Sequence, residues 1–173
     1  MGSGKTTAGK KLSSLTGWHF IDLDHEIEKK EGKTISGIFS DNGENYFRKT
    51  ESETLRNLET VKDVVIATGG GAPCFHNNID YMLETGIVIY LKMTPHQIKE
   101  RLAGDDTERP LLKGINNEEI HNFIEKKLKE REKFYNRAHI IADGYNFNAE
   151  TLLEKINKLI FIKYGSGKNK RQK

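Results

Sequence analysis

The sequence predicts a three-layer α/β/α sandwich around a central parallel sheet, and two observations carry that prediction. Short β-branched apolar runs alternate with helical patterns along the chain. The runs are apolar throughout instead of alternating with polar residues, which is the pattern of strands covered on both faces. A length of 173 residues suits one domain with a sizeable core.

The elements follow in order. Met1-Gly2-Ser3-Gly4-Lys5-Thr6-Thr7 ends as a G-x-x-x-x-G-K-[ST] phosphate loop ends, and a helix from Ala8 to Leu15 follows it. Glycines let successive backbone N–H groups turn toward phosphates, and the helix adds its N-terminal dipole. Lys5 would bridge β- and γ-phosphate oxygens, and the Thr6 hydroxyl would ligate Mg²⁺. The first glycine of the pattern would fall upstream of Met1, so the loop is incomplete as written. Trp18 to Leu23 reads as a strand, and Asp22 and Asp24 at its end, spaced i, i+2, share one side of the carboxyl end, where open α/β sheets bind ligands. The plainer reading has Asp24 capping a helix from Glu26 to Glu31.

Tyr46 to Glu51 belongs to a helix, in which Arg48 and Glu51 at i, i+3 could pair on the surface. Val64 to Ala67 is a fully apolar strand that runs into Gly69-Gly70-Gly71. Three successive glycines cost backbone entropy, which close approach of a ligand to the main chain would justify; a tight turn is the alternative, for which two glycines normally suffice. Ile87 to Leu91 is a third strand. Thr94-Pro95-His96-Gln97 has the form of a capping box opening a helix. Ala103 to Asn117 is weakly patterned and reads either as a lid or binding loop, or as a variable surface loop.

A long helix presents Ile120, Phe123, Ile124, Leu128, Phe134 and Tyr135 on one face. Arg131 falls on that stripe, three residues from both Leu128 and Phe134, where a structural helix would carry a hydrophobe; the alternative is snorkelling at the stripe's edge. His139 to Ala142 is the fourth strand, and Leu152 to Ile160 marks the last helix.

Composition narrows the function classes. One cysteine, Cys74, excludes an internal disulfide, and six scattered histidines show no zinc spacing. No apolar run approaches a membrane span, so the expectation is a cytoplasmic protein without a membrane or nucleic-acid partner. The net charge of +3 misleads. Residues 163–173 hold five basic residues and no acid, leaving 23 basic against 25 acidic residues over 1–162. The basicity is expected in a disordered tail at 163–173, behind a single mildly acidic domain at 1–162. Cys74 and His76 lack an activating partner for nucleophilic chemistry.

In order and at matching intervals, G-S-G-K-T-T, F-I-D-L-D, E-x-x-F-R-x-x-E (Glu44 to Glu51), A-T-G-G-G, R-P-L-L (Arg109 to Leu112) and E-R-x-x-x-Y (Glu130 to Tyr135) resemble the shikimate kinases. These are P-loop proteins of the nucleoside-monophosphate-kinase-like fold with a mobile lid. The resemblance covers roughly Gly2 to Ile160 and puts Met1 at a methionine inside the loop. It thereby implies a first strand and first loop glycine upstream, and poor stability and little activity for the chain as written.

The resemblance further implies transfer of the ATP γ-phosphoryl to the 3-hydroxyl of shikimate by a monomer. Gly2, Ser3, Gly4, Lys5, Thr6 and Thr7 would cradle the phosphates. Thr6 would hold Mg²⁺ directly and Asp22 through water. Asp24 would act on the reacting hydroxyl, as base or as orienting group. Arg48 and Arg131 would grip the substrate carboxylate, Gly70 would offer its N–H, and Arg109 would reach ATP from a lid at about 103–117. Helices within about 24–60 would bind the substrate. Another small-metabolite kinase of this fold, for gluconate or a nucleotide, is the alternative reading. A nucleotide-binding regulator using its tail on nucleic acid is a third.

Overall fold

The structure is a computed structural model, which describes residues 2–103, 116 and 119–164. Arg109 and nearly all of the segment read as a lid lie outside those residues, as do positions 165–173 of the expected tail.

Helix α1 (Lys5–Thr16) leads into strand β1 (His19–Asp22), then α2 (Leu23–Glu31) and α3 (Ile35–Asn57). Strand β2 (Val64–Ala67), a 3-10 turn (Ala72–Cys74), α4 (Asn78–Thr85) and β3 (Ile89–Lys92) follow. The chain continues through α5 (Pro95–Ala103), α6 (Glu119–Tyr135), β4 (Ile140–Asp143) and α7 (Ala149–Tyr164). The four strands stand within two residues of their expected limits. The tail reading meets helix first, because α7 runs through Tyr164.

Among the described residues all strand pairing is parallel, as the continuous apolar runs required. The strands form two pairs, β1 with β2 (Ile21 opposite Ile66) and β3 with β4 (Leu91 opposite Ala142), each a two-stranded sheet among the described residues. One apolar cluster joins the pairs: Val65 of β2 packs against Ala8 and Leu12 of α1, Leu91, Ile140, and Leu152 and Ile156 of α7. Ile66, the next residue of β2, turns to a second cluster built from Leu23 and Ile27 of α2 and Ile38, Phe47 and Leu55 of α3. Successive strand side chains point to opposite faces, so β2 has helices on both sides. That is the three-layer arrangement.

Two glycines set the geometry around the site. A Cβ on Gly9 would stand 2.5 Å from the Phe20 ring, so only glycine lets α1 lie this close to β1. Gly43 interrupts α3 at φ 81°, a left-handed value glycine adopts without strain, and so re-aims the Glu44–Asn57 portion toward the strand ends. The capping box at α5 forms as read: Gln97 N–H donates to Thr94 Oγ1 at 3.3 Å, and Thr94 N–H to Gln97 Oε1 at 2.9 Å. Helix α4 was not anticipated. Its buried Asn78 accepts from Ser52 Oγ (2.8 Å) and Arg56 Nη1 (2.7 Å) and donates to the Ala72 carbonyl (2.9 Å), pinning the turn after β2 to α3.

Candidate active site

A cleft of about 940 Å³ opens at the carboxyl ends of β1 and β2 and takes in the start of α1. Gly2, Ser3, Gly4, Lys5, Thr6, Thr7, Asp22, Asp24, Arg48, Gly70 and Arg131 all line it. Every site residue read from the sequence is thus in one place except Arg109, which lies outside the described residues.

At the α1 end of the cleft, Gly2 (φ 60°) and Gly4 (φ 76°) hold left-handed conformations that turn the chain into α1. Gly4 caps α1 without a side-chain hydrogen bond, and no acid stands in the first turn. The first N–H groups of the helix therefore face the cleft as an anion seat. Lys5 Nζ donates to Ser3 Oγ at 3.2 Å. Thr6 Oγ1 donates to Asp22 Oδ2 at 2.9 Å. A hydroxyl and a carboxylate oxygen this close are hard donors of the type Mg²⁺ takes alongside water and phosphate oxygens, so the donor set fits that ion.

Asp22 and Asp24 divide their work differently from the capping alternative. Asp22, not Asp24, caps α2, its Oδ1 accepting from Asp24 N–H at 3.2 Å. Asp24 sits in the first turn with its Oδ1 buried and without a hydrogen-bond partner among the described residues. Burial, reinforced by the negative charge of Asp22, pushes the Asp24 carboxyl above the usual carboxylate range, against the pull of Lys5 and Arg48. A buried carboxylate of raised proton affinity suits acceptance of a hydroxyl proton.

The far end of the cleft is built around Arg48. The pairing with Glu51 exists at 2.9 Å but is interior, not on the surface: Arg48 is 4% and Glu51 0% exposed. Arg48 also donates from Nε (3.1 Å) and Nη2 (3.0 Å) to Glu44 Oε1. These three bonds use three of the five guanidinium N–H groups and leave one on each terminal nitrogen. The guanidinium is further held by the Phe75 ring (4.6 Å to the centroid) and the Phe47 ring (4.9 Å). Arg131 reaches the cleft half-buried from α6, in keeping with its place on the apolar stripe.

The glycine triplet has a tighter reason than ligand approach alone. A Cβ on Gly69 would meet Glu51 Oε1 at 2.8 Å and Asp24 Oδ1 at 3.2 Å, and one on Gly71 would lie 2.6 Å from Arg48 Nη1. The turn is glycine because the site's own carboxylates and guanidinium press on its backbone.

Burial is the largest influence on Glu51 and pushes its carboxyl up to about 7 from an ordinary 4.5, against the opposing charge of Arg48. The folded state therefore holds this proton where the unfolded chain has lost it. Its stabilising contribution is full below pH 4.5 and is lost as pH rises toward 7. In Glu51→Gln, the difference in unfolding temperature from the parent should shift in the variant's favour across that window. Thermal melts at stepped pH measure this, and a pH-independent difference contradicts it.

Sequence reasoning passed over Arg101. It lines the cleft from α5, donates from Nη2 to the Gly144 carbonyl (2.9 Å), and lies 2.8 Å from a Cβ position on Gly4. Its one signal was a cation three residues past Ile98 on the buried face of α5.

The shikimate kinase family model matches residues 1–160. A shikimate kinase of Parabacteroides distasonis is 41% identical over 160 residues, 92% of this chain and 92% of that protein. The crystal structure of shikimate kinase from Bacteroides thetaiotaomicron superposes with TM-score 0.84 at 35% identity, over 92% of this chain and 93% of its own. Shikimate kinase from Acinetobacter baumannii in complex with shikimate gives TM-score 0.82 at 38% identity, covering 95% and 90%.

Proposed function

The chain belongs to the shikimate kinase family, and we propose from that premise that its cleft transfers the γ-phosphoryl of ATP to the shikimate 3-hydroxyl. The products are ADP and shikimate 3-phosphate, in aromatic amino-acid biosynthesis. One observation supports this above all: a helix N-terminus bearing Gly4-Lys5-Thr6 and an arginine pair line a single cleft with Asp24, whose buried Oδ1 has no hydrogen-bond partner among the described residues.

Phosphoryl transfer depends on positioning and charge neutralisation more than on covalent chemistry. Backbone N–H groups of Gly2 to Thr7 bind the phosphates, and Lys5 balances charge on the β- and γ-oxygens. Thr6 would hold Mg²⁺ directly and Asp22 through water; the ion's contribution when bound is to neutralise phosphate charge and fix its geometry. Asp24 accepts the proton of the 3-hydroxyl as it attacks, with the raised basicity that burial gives it. The two remaining N–H groups of Arg48, with Arg131, receive the substrate carboxylate, and Gly70 N–H fixes the ring. Arg109, which lies outside the described residues, is assigned to ATP by its place in the R-P-L-L motif alone. Both substrates are small polar molecules, and we place the enzyme in the cytoplasm as a monomer.

An ADP-release assay with shikimate, gluconate and nucleoside monophosphates tests the reading: release should depend on shikimate alone. In Arg131→Ala the loss of one charged fork should raise the KM for shikimate roughly 10- to 100-fold, leaving the KM for ATP within about twofold. Equal rises in both constants would contradict the assignment.

A further inference from the structure

We propose that Tyr135 is a positioning residue for the substrate seat, its hydroxyl tying the glycine turn to the helix that carries Arg131. The inference rests on the shikimate reading above. Tyr135 lies four residues after Arg131 on α6, one turn along the same face. Its hydroxyl donates to the Gly70 carbonyl at 2.6 Å, across 65 residues of sequence.

The Gly69 and Gly71 carbonyls accept from backbone N–H groups of Ala72 (3.1 Å) and Cys74 (2.8 Å), local bonds any tight turn could make. The Gly70 carbonyl is the one held by a side chain from another element. Glycine has the widest conformational freedom of any residue, so a triplet needs such an external hold to keep one shape. Because the peptide unit is planar, fixing the Gly70 carbonyl also fixes the Gly71 N–H, and it restrains Gly70 itself, whose own N–H is the one assigned to the substrate.

The phenol is itself well held. Its ring packs on Tyr90 with centroids 4.7 Å apart. Burial raises its pKa, against the charge and hydrogen bonding of the Arg131 guanidinium, so the hydroxyl stays protonated and can donate at neutral pH. One oxygen thus stands between two groups assigned to the substrate: it donates to the glycine turn, and the Arg131 cation lies beside it.

Tyr135→Phe keeps the ring and its contact with Tyr90 and removes only the hydroxyl. The KM for shikimate should rise roughly three- to tenfold, as for one lost hydrogen bond, with the KM for ATP unchanged. In the substrate-free protein, amide hydrogen exchange at Gly71 should accelerate while exchange in β3 and β4 does not. Unchanged exchange at Gly71 with an unchanged KM for shikimate overturns the proposal. So does a proportional rise in both KM values with general acceleration of exchange, which marks Tyr135 as ordinary packing. A failure of the shikimate reading would show in the parent enzyme's assay, whereas the exchange measurement judges the Tyr135 tie without any substrate.

Discussion

Replacing Asp24 with asparagine should lower kcat by roughly two to four orders of magnitude while the KM for ATP stays within about twofold. The two side chains have the same shape, so packing in the first turn of α2 is retained. What is lost is the acceptor: the amide can present N–H where the 3-hydroxyl needs a proton acceptor. The proposed phosphate seat, the Gly2–Thr7 segment with Lys5 at the start of α1, is not altered.

Stability separates this effect from misfolding. The folded protein raises the Asp24 pKa above its ordinary 3.8, so the ionised carboxylate costs stability at neutral pH, and a neutral amide removes that cost. Asp24→Asn should therefore melt no lower than the parent at pH 7. A variant that melts normally yet keeps kcat within about tenfold would remove Asp24 from the chemistry.

Arg48→Ala should produce a double loss. The fully buried Glu51 would lose its partner at 2.9 Å and Glu44 both of its bonds, and a buried pair broken from one side costs roughly 3 kcal/mol. For a chain of this length that corresponds to a fall of about 6–12 °C in unfolding temperature. The KM for shikimate should rise roughly 100-fold through loss of the guanidinium that is proposed to receive its carboxylate. Arg48→Lys should recover part of the stability and little of the affinity, since an ammonium cannot bind Glu44, Glu51 and a third carboxylate in one plane. Melting curves with steady-state kinetics decide it. An alanine variant with a near-parental KM would show that Arg48 is structural only.

What was readable in the sequence was local. The Val64–Ala67 strand, the Thr94–Gln97 box and the helical stripe bearing Arg131 depend on residues within one or two turns, and the structure has each as read. The residues that meet in the cleft were readable because their motifs keep fixed intervals, though their geometry was not. The Arg48–Glu51 spacing looked like a surface pair because nothing local says that Gly69, Gly71 and Phe75 cover it.

The glycine triplet showed the need for close approach but not its partner, since Glu51 and Asp24 reach it from two other helices. Arg101 escaped because its acceptors, the Gly144 and Tyr145 carbonyls, lie more than forty residues away. Likewise, strand runs predict parallel pairing but not which edges meet. The described strands pair as β1–β2 and β3–β4, and a single apolar cluster with residues from α1 and α7 spans both pairs.

Identification of the product tests the central claim most directly. Incubation with ATP, Mg²⁺ and shikimate, followed by phosphorus–proton correlation spectroscopy, should show one phosphorylated compound per ADP formed, with phosphorus coupled to the proton on C3 of shikimate. ADP release that is independent of shikimate, or a phosphoryl group found on another hydroxyl or another acceptor, would contradict it.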